Sequence, residues 1–448
     1  MIHTPRPGNK EKDSIVVPEE FRLEDDLASA YHVMEFTNET LFLTGRAGTG
    51  KSTLLNYFRK NTIKKCVVLA PTGLAALQVG GSIIHSFFGF PLRPLLKDDP
   101  EITPWGKGHP RLRILRKMDT LIIDEVSMVR VDVMDAIDQS LRLNMENDIP
   151  FGGKQIIFIG DAFQLSPVLT ESEGHNTNFE RYDSPYFFSA DAFRAARPKV
   201  IELKKIYRQH DDDFIYLLNR IRQGIAGTDD LGELNKRFLP GEPGDSEFSI
   251  VLTSVNAIAD HVNLQKLMAL PASTHVFKGK VEGVFNDRLY PASAVLNLKA
   301  GAQVMMVKND LQGRWVNGSI GVVERLTDAQ IFVRFADGKV HQIEPVTWDN
   351  KVYKWDKETN TISFEVRGTY IQYPIRLAWA ITIHKSQGLT FERIVIDLGR
   401  GAFAHGQLYV ALSRCKSLEG ITLKTKITPR DMIVDEAVGY FAGRCGLG

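Results

Sequence analysis

The string GRAGTGKS at residues 45–52 holds the residue types in this chain that are best suited to chemistry. It fits the spacing G-x-x-x-x-G-K-[ST], follows the apolar run LFLT and precedes the helical run TLLNYFRK. Glycines at these positions let backbone N–H groups wrap phosphates, and the N-terminus of the next helix adds positive potential. We expect a nucleoside-triphosphate site in which Lys51 reaches the β- and γ-phosphates and Ser52 binds Mg²⁺. The expected nucleotide contacts in this loop are Gly45, Ala47, Gly48, Thr49, Gly50, Lys51, Ser52 and Thr53.

Two adjacent carboxylates end the apolar run LIIDE at residues 121–125. A phosphate-transfer site needs one acid that holds Mg²⁺, usually through water, and one group that activates or orients the attacking water. Asp124 suits the first role and Glu125 suits the second. An acidic pair alone is more often a solvated strand end. The assignment of these roles therefore depends on the position of the pair downstream of the phosphate-binding loop.

A third apolar run, IFIGDAFQLSP at residues 157–167, places Asp161 and Gln164 at the same predicted sheet edge. Gln164 is a candidate for sensing the γ-phosphate or for orienting the attacking water. The alternative is a strand cap followed by a turn before Pro167.

Two arginines, Arg208 and Arg414, are candidates for contact with the γ-phosphate. A guanidinium at that position spreads the charge of the transition state. If both lie across a cleft from Lys51, hydrolysis would open or close two lobes. The alternative for each is a surface charge, since the chain has 55 Lys and Arg residues.

The elements that must position these residues have the pattern of a parallel α/β sheet. Several apolar runs are short, do not alternate with polar residues, and end in a polar or glycine-rich cluster. Such runs are typical of strands that helices cover on both faces, with ligands bound at the carboxyl ends of the strands. The predicted strands are 41–44, 66–70, 121–124, 156–160 and 394–398.

Two segments depart from this pattern. Residues 87–117 are rich in proline, aromatic and basic residues, which predicts a small insert standing on the first sheet. The stretches 315–325 and 330–343 are β-rich and carry the turn signals Asn317-Gly318 and Asp337-Gly338. They predict a small antiparallel barrel inserted into a second α/β lobe.

Composition is that of an ordinary folded protein with about two to four domains. Of the 448 residues, 43% are hydrophobic and 24% are charged. The net charge of +1 does not by itself indicate nucleic-acid binding, although a basic groove would be hidden in that total. No apolar run approaches the roughly 20 residues that cross a bilayer, so no membrane association is expected.

The three cysteines, Cys66, Cys415 and Cys445, are far apart and form no C-x-x-C pair. This spacing argues against a disulfide framework, a structural zinc or an iron–sulfur cluster, and it favours a reducing compartment. The polar N-terminus lacks an apolar signal core and is predicted to be a flexible tail. We expect a cytoplasmic bacterial or phage protein, while the core of a nuclear or mitochondrial protein would look the same.

Taken together, these strings resemble the superfamily-one DNA helicases. More narrowly, they resemble the petite integration frequency (PIF) helicase family, which is related to the RecD and Dda helicases. The resemblance rests on strings that run in family order from about Thr44 to Ser417. They are GRAGTGKST, APTGLAALQVGGSIIHSFF, LIIDEVSMV, FIGDAFQLSPV, YRQ, AWAITIHKSQGLTFE and LYVALSRCKS.

The resemblance implies an α/β fold of two RecA-like P-loop lobes, with parallel sheets and helices on both faces. A small insert is expected in lobe one and a small antiparallel β-barrel insert in lobe two. The expected divisions are a flexible tail at 1–20, lobe one at 21–86 and 118–203, a wedge-like insert at 87–117, lobe two at 204–299 and 373–448, and the barrel at 300–372.

The resemblance also implies dependence on ATP and Mg²⁺ and 5′→3′ movement on single-stranded DNA. The family unwinds forked duplexes, RNA–DNA hybrids and G-quadruplexes, so a role in replication, repair, recombination or telomere-type maintenance is implied. The active form would be a monomer or a DNA-induced dimer.

Family roles carry over to matching positions. Lys51 and Ser52 match residues of the family's nucleotide-binding loop. Asp124 matches the acid that holds magnesium, and Glu125 matches the catalytic acid. The γ-phosphate sensors are matched by Gln164, Arg208 and Arg414, and the segment that approaches the nucleotide from lobe two holds Gln387 and Gly388. The family's upstream glutamine that reads adenine has no counterpart near Leu27, so adenine selectivity does not follow from this sequence.

A motor that grips DNA without reading its sequence needs backbone amides, hydroxyls and lysines for phosphates, and aromatic groups for bases. The resemblance places such groups at Thr72, Gly73, His85, Ser86, Thr253, Asn256, Thr382, His384, Lys385 and Ser386. The candidate wedge residues that split base pairs are Phe90, Pro91, Arg93 and Trp105. For each residue the alternative is an ordinary core or surface role.

Two other classes share part of the pattern. Another P-loop NTPase, such as a signalling switch or a loader, needs the loop and the acidic pair but not the HSFF and KSQG segments and Arg414 together. A binding module with an inactive ATPase lobe would not need Lys51, Glu125 and Gln164 intact. Stimulation of ATP hydrolysis by single-stranded DNA discriminates among the three.

Overall fold

The structure is a computed structural model that describes residues 15–167, 181–240 and 247–447. Most of the predicted tail at 1–20 lies outside these residues. The α-helices are Asp25–Phe36, Lys51–Asn61, Gly73–Gln78, Ile84–Phe88, Pro110–Lys117, Val131–Met145, Asp191–Ala196, Asp212–Arg222, Thr228–Asn235, Asn256–Ala269, Gln407–Leu412 and Glu436–Cys445. Among the described residues, none of the helices is long and apolar enough to cross a bilayer.

Lobe one is built on a parallel sheet whose central strands are completely buried. Within the described part of the chain its six strands lie in the order Ser82–Ile83, Cys66–Ala70, Thr120–Ile123, Gln155–Ile159, Leu41–Gly45 and Lys199–Leu203. Alternate residues of one strand face different cores, with Phe42 on one side and Leu41 and Leu43 on the other. The predicted covering of both faces is confirmed.

Lobe two has its own parallel sheet. In the described residues its strands lie in the order Ala380–Thr382, Ile250–Thr253, Ile394–Asp397 and Ile421–Leu423. Thr253 pairs with Thr382 and with Asp397, so the carboxyl ends of three strands meet at one edge. This edge faces the interlobe cleft described below.

The antiparallel insert of lobe two is wider than the predicted range 300–372. Its main sheet runs in the order Val340–Ile343, Ile331–Phe335, Ile320–Leu326, Gln303–Met306 and Ile375–Leu377. One smaller sheet pairs Val295–Leu298 with His275–Lys278. In the other, Thr361–Gln372 lies between Val346–Asp356 and Lys280–Gly283 and pairs with both. Strands from 275–298 and 375–377, placed in lobe two by the sequence, therefore belong to the antiparallel region.

The long hairpin of this insert, Val346–Asp356 and Thr361–Gln372, reaches lobe one. The hydroxyl of Tyr353 accepts a hydrogen bond from the Val68 backbone N–H at 2.8 Å and donates one to the Val68 carbonyl at 3.1 Å. The ring of Tyr353 is buried in the core of lobe one. The hairpin thus covers a part of the Cys66–Ala70 strand that the short neighbouring strand leaves unpaired.

The C-terminal helix Glu436–Cys445 also packs on lobe one, although the sequence assigned it to lobe two. Phe441 stacks on Phe188, with ring centroids 4.3 Å apart, and Val438 joins the same core. The physical reason is its apolar face, which completes an aromatic cluster around Phe42 and Phe187.

The insert at 87–117 is less exposed than a wedge requires. Phe90 is buried in the lobe-one core, and Trp105 packs against that core. The guanidinium of Arg93 pairs with Asp99 at 2.7 Å. Phe90 and Trp105 are therefore packing residues and not exposed wedge residues, whereas Leu92 is 79% exposed.

Candidate active site

The phosphate-binding loop has the geometry that its glycines predict. Gly48 and Gly50 have φ angles of 82° and 89°, which favour glycine. A Cβ on Gly48 would lie 2.5 Å from the Cβ of Arg208, so a side chain at position 48 would also push Arg208 away from the loop. The ammonium of Lys51 donates to the carbonyls of Gly45 at 2.6 Å and Arg46 at 2.9 Å.

The acidic pair lies directly beside this loop. Asp124 follows the strand Thr120–Ile123 and is 6% exposed. Glu125 takes a left-handed conformation with φ of 50°, which turns the chain away from the strand. Burial raises the pKa of Asp124, and the neighbouring Glu125 raises it further. Burial also raises the pKa of Glu125, against the attraction of Lys51 and Arg414.

Oxygen donors beside the loop suit Mg²⁺. The hydroxyl of Ser52 and the carboxylate of Asp124 are ligands of the kind that this ion prefers. Asp124 is buried and the adjacent Glu125 is half-buried, so the pair carries a desolvation cost that a divalent cation would offset. Among the described residues, no group of three or more His, Cys, Asp and Glu side chains could hold a metal ion. Phosphate and water oxygens would have to complete the coordination, as is usual for Mg²⁺ with nucleotides.

Lobe two brings Arg414 to this site. The guanidinium is 2% exposed and donates to the carbonyl of Val410 at 2.9 Å and the hydroxyl of Ser413 at 2.9 Å. Burial and the nearby Arg208 lower the pKa of Arg414, while Glu125 opposes this. Within the described residues it forms no ion pair with a carboxylate. A buried guanidinium without a counter-ion is suited to receive an anion.

Arg208 and neighbouring residues of lobe two cover the phosphate-binding loop from the other side. Arg208 donates to the carbonyl of Ser413 at 3.2 Å, and Tyr207 N–H donates to the carbonyl of Gly48 at 2.8 Å. Gln164 is 7% exposed, and a Cβ on Gly406 would lie 2.6 Å from its carbonyl oxygen. The structure thus brings Lys51, Glu125, Arg208 and Arg414 to one region between the lobes. The backbone of Gln164 lies against Gly406 of lobe two.

An interlobe cleft of about 900 Å³ connects this region to the predicted DNA contacts. Its walls come from both lobes and include Glu125 and Gln387 from the nucleotide side. Gly388, next in the chain, has φ of 76°, and a Cβ there would lie 3.2 Å from the Gln78 side chain of lobe one. The predicted DNA contacts along this cleft are Thr72, Asn256, Thr382, His384 and Lys385.

These contacts are presented by equivalent turns in the two lobes. Thr72 caps the helix Gly73–Gln78, and its hydroxyl accepts from the Ala75 N–H at 3.3 Å. In lobe two, Asn256 begins the helix Asn256–Ala269, and His384 begins a 3₁₀ turn that follows the strand Ala380–Thr382. Each turn follows the carboxyl end of a parallel strand, where an open sheet binds ligands.

The other predicted DNA contacts are placed elsewhere. Thr253 is buried, and the hydroxyl of buried Ser386 donates to the Ile383 carbonyl at 2.7 Å, so both support the cleft wall from behind. His85 packs edge-on against Phe90, and burial lowers its pKa. Thr253, Ser386 and His85 line neither this cleft nor the second cavity.

Gly73 and Ser86 line the second cavity, of about 470 Å³, between lobe one and the hairpin. Its walls carry four cationic side chains and one carboxylate among the described residues. They are Arg111, Lys308, Lys351, Arg367 and Asp349. Burial lowers the pKa of Arg111, and Arg367 lowers it further. The sequence did not single out these residues, because Arg111 lies in lobe one, 197 or more positions before the other four.

Sequence reasoning also missed three side chains around the nucleotide loop. Tyr409 accepts from the Ala47 N–H at 3.0 Å, Arg222 pairs with Asp161, and Gln209 donates to the Cys415 carbonyl at 2.9 Å. A signal for Arg222 was present in the sequence. It lies on the same helical face as Phe214 and Leu218, and an arginine on an apolar face needs a buried partner.

Comparisons with known proteins identify the family. The protein-family description "PIF1-like helicase" matches residues 26–230. The ATP-dependent DNA helicase Pif1 of Bdellovibrio bacteriovorus is 32% identical, over 94% of this chain and 92% of its own length. The chain belongs to the PIF1-like helicase family. The resemblance drawn from the motifs is therefore confirmed.

Solved structures of this family match the whole architecture. Bacteroides sp. Pif1 in complex with ADP-AlF4 has a TM-score of 0.86 and 37% identity, covering 95% of this chain and 97% of that one. Bacteroides Pif1 bound to single-stranded DNA has the same identity and coverage but a TM-score of 0.68. By this measure the overall structure is closer to the ADP-AlF4 complex than to the DNA complex.

Other PIF1 relatives are longer than this chain. The mouse ATP-dependent DNA helicase PIF1 is 36% identical over 87% of this chain, which spans 58% of the mouse protein's length. The chain spans about three-fifths of the length of such relatives.

Proposed function

We propose that this chain is an ATP- and Mg²⁺-dependent DNA helicase that translocates 5′→3′ on single-stranded DNA. It would unwind duplex and forked DNA, and G-quadruplexes, during replication, repair and recombination or telomere-type maintenance. The observation that carries the proposal is a single interlobe cleft. One end holds Glu125 and Gln387, and the other holds hydroxyl, amide and lysine groups suited to a phosphate backbone.

The proposed chemistry uses residues that the fold already holds in place. Lys51 and the loop amides bind the β- and γ-phosphates, and Ser52 and Asp124 hold Mg²⁺. The ion, when bound, neutralises charge that develops on the phosphate oxygens. Glu125 accepts a proton from the attacking water, which Gln164 orients. Arg208 and Arg414 contact the γ-phosphate from lobe two and stabilise the charge of the transition state.

The proposed DNA grip is independent of sequence. Helix N-termini beneath Thr72 and Asn256 direct backbone N–H groups into the cleft, and Lys385 adds a mobile positive charge. Phe403, which is 63% exposed, lines the same cleft and is suited to lie against bases. Contacts of this kind can be released and remade at each step, as translocation requires.

Hydrolysis moves the strand because the same lobes carry both sets of contacts. Arg414 and the DNA contact Lys385 both belong to lobe two, so a change of distance between Arg414 and the γ-phosphate also moves Lys385 relative to Thr72. We place the protein in the bacterial cytoplasm and expect one chain, or two chains on one fork, to be active. A solved Pif1 structure, 36% identical to this chain, concerns DNA unwinding at forked duplex DNA by two coordinating Pif1 helicases.

The test is strand separation on two partial duplexes, one with a 5′ single-stranded tail and one with a 3′ tail. We expect ATP- and Mg²⁺-dependent unwinding from the 5′ tail alone, and none with Glu125→Gln, which should still bind ATP. Unwinding from the 3′ tail alone would contradict the proposed polarity. Hydrolysis that single-stranded DNA does not stimulate would contradict the proposed motor.

A further inference from the structure

An ion pair joins the two lobes beside the phosphate-binding loop. Arg222 ends the lobe-two helix Asp212–Arg222, and Asp161 follows the lobe-one strand Gln155–Ile159. Nη2 of Arg222 lies 3.0 Å from Oδ1 of Asp161, and Nε lies 3.3 Å from Oδ2. Both side chains have 0% exposure, so water does not screen the pair.

Tyr409 adds a second link at the same carboxylate. Its hydroxyl lies 3.4 Å from Oδ2 of Asp161 and accepts a hydrogen bond from the backbone N–H of Ala47 at 3.0 Å. Tyr409 belongs to the lobe-two helix Gln407–Leu412, just before Arg414. One lobe-one carboxylate therefore contacts two lobe-two side chains, and one of these contacts the nucleotide loop itself.

The surroundings hold this arrangement in one geometry. The ring of Phe163 covers the guanidinium of Arg222 at 4.1 Å. Burial opposes ionisation of Asp161, but Arg222 and Lys51 outweigh it and lower the pKa of this carboxyl. The carboxylate is thus shared electrostatically between the cation of lobe two and the catalytic lysine of the loop.

A buried ion pair is a poor device for stability alone. Desolvation offsets most of its Coulomb energy, and well-packed apolar residues often stabilise as much. What a two-point guanidinium–carboxylate contact provides is a defined distance and orientation. Such a contact suits an interface that must return to one register each time the lobes close.

We propose that Arg222 is a positioning residue, which acts through Asp161 and Tyr409 to set the nucleotide loop relative to lobe two. When DNA closes the lobes, this contact places the loop for hydrolysis. The inference rests on the proposed function, because its effect is seen in hydrolysis stimulated by DNA.

The test compares Arg222→Met, Asp161→Asn and the double variant in the full chain. The readouts are the melting temperature, the KM for ATP, and the stimulation ratio, defined as the hydrolysis rate with a dT oligonucleotide divided by the rate without it. Each single change removes one charge of a buried ion pair and should lower the melting temperature, whereas the double variant should recover most of it.

We expect the stimulation ratio to fall about 10- to 100-fold in all three variants, as misplacement of reacting groups does, with KM for ATP changed less than about threefold. Arg222→Lys, which keeps the charge, should retain more of the ratio than Arg222→Met. The matched control is Arg220→Met, on the same helix, because Arg220 pairs with Asp230 at 2.7 Å within lobe two. This control should keep the wild-type ratio.

The outcomes separate the two claims. If the double variant recovers the stimulation ratio along with the melting temperature, Arg222 is only structural and the inference is overturned. If the wild-type chain itself shows no stimulation by DNA, the proposed function is overturned and the inference falls with it.

Discussion

The two ends of the interlobe cleft differ in how firmly they hold their side chains. At the nucleotide end, Arg414 is 2% exposed and Asp124 is 6% exposed, and both are fixed by strands or by backbone carbonyls. At the DNA end, Asn256 and Lys385 are exposed on the first residues of a helix and a turn. Transition-state stabilisation needs groups fixed in advance, whereas a moving strand needs contacts that can be replaced.

This difference predicts different responses to substitution. At the nucleotide end each residue has one role that no neighbour can take over, so single changes should be severe. At the DNA end several weak contacts together bind the strand. Single substitutions there should therefore have mild and roughly additive effects on DNA affinity.

Lys51→Ala should have the largest effect, reducing ATP hydrolysis to near the background rate. The ammonium sits against the loop carbonyls, and no other cation on that helix reaches this position. Steady-state hydrolysis with saturating single-stranded DNA measures this. Lys60→Ala, on the exposed end of the same helix, is the control and should be unchanged. Normal stimulated turnover by Lys51→Ala would refute the site.

Arg414→Ala should reduce stimulated hydrolysis by about 10³-fold, since it removes a cation that stabilises the transition state. Binding of a fluorescent ATP analogue should change far less. The control is Arg237→Ala, whose guanidinium also donates to backbone carbonyls, those of Ile421 and Glu419, but away from the cleft. Equal losses in the two variants would mean that Arg414 acts on folding and not on chemistry.

Lys385→Ala should weaken DNA binding only a few-fold. It should lower the slope of log affinity against log salt by about 1, because one phosphate contact is lost. Fluorescence anisotropy with a dT oligonucleotide over a range of salt concentrations measures this slope. Lys426→Ala is the control, since Lys426 lies over the ring of Phe238 and not along the cleft. An unchanged slope for Lys385→Ala would exclude it from the DNA path.

The smallest expected effect is a pH dependence at the interlobe contact of His405. Its Nδ1 accepts from the Asp435 N–H at 3.1 Å, and its Nε2 faces the Ala162 carbonyl at 3.0 Å, which fits the neutral ring. Burial lowers the pKa of His405. The Ala162 carbonyl and the charges of Asp435 and Asp161 raise it, but burial outweighs them. The unfolded chain therefore takes up this proton first, so the stabilising contribution is present above the unfolded pKa of about 6.5 and is lost as pH falls.

Melting curves between pH 7.5 and pH 5.5 check this expectation. Wild type should lose on the order of 1 kcal/mol more stability over this range than His405→Gln, which has no group that titrates there. His261→Gln, at an exposed position on the helix Asn256–Ala269, should behave as wild type. Identical pH profiles for wild type and His405→Gln would show that this ring does not carry the dependence.

The nucleotide end could be predicted closely from the sequence because its chemistry is local. A glycine-rich loop must join a strand to a helix, and Asp124 must end a strand of the same sheet. Arg208 and Arg414 were candidates from their residue type, and the family resemblance gave them the role of γ-phosphate sensors. The predicted parallel strands of lobe one agree with the observed ones to within one residue at each end.

The DNA end could be predicted only in part, because burial determines which of the candidate side chains can reach the cleft. Thr253 and Ser386 have suitable hydroxyls, but both residues are buried. Thr253 ends a buried strand, and Ser386 lies in the turn that begins at His384, where its hydroxyl donates to the Ile383 carbonyl. Phe90 lies in a proline-rich segment that looks exposed, yet it fills the lobe-one core. The contact between Arg222 and Asp161 joins residues 61 positions apart and depends on how the lobes meet, which no local pattern contains.

The central claim is that the two ends of the cleft are coupled, and the most direct test is DNA affinity with and without nucleotide. The dissociation constant for a dT oligonucleotide would be measured with no nucleotide and with Mg²⁺ and a non-hydrolysable ATP analogue. We predict a change of at least about fivefold in wild type, and by linkage the same factor for nucleotide affinity upon DNA binding. Arg414→Ala should abolish this change. Equal DNA affinities in wild type, with and without the analogue, would contradict the account.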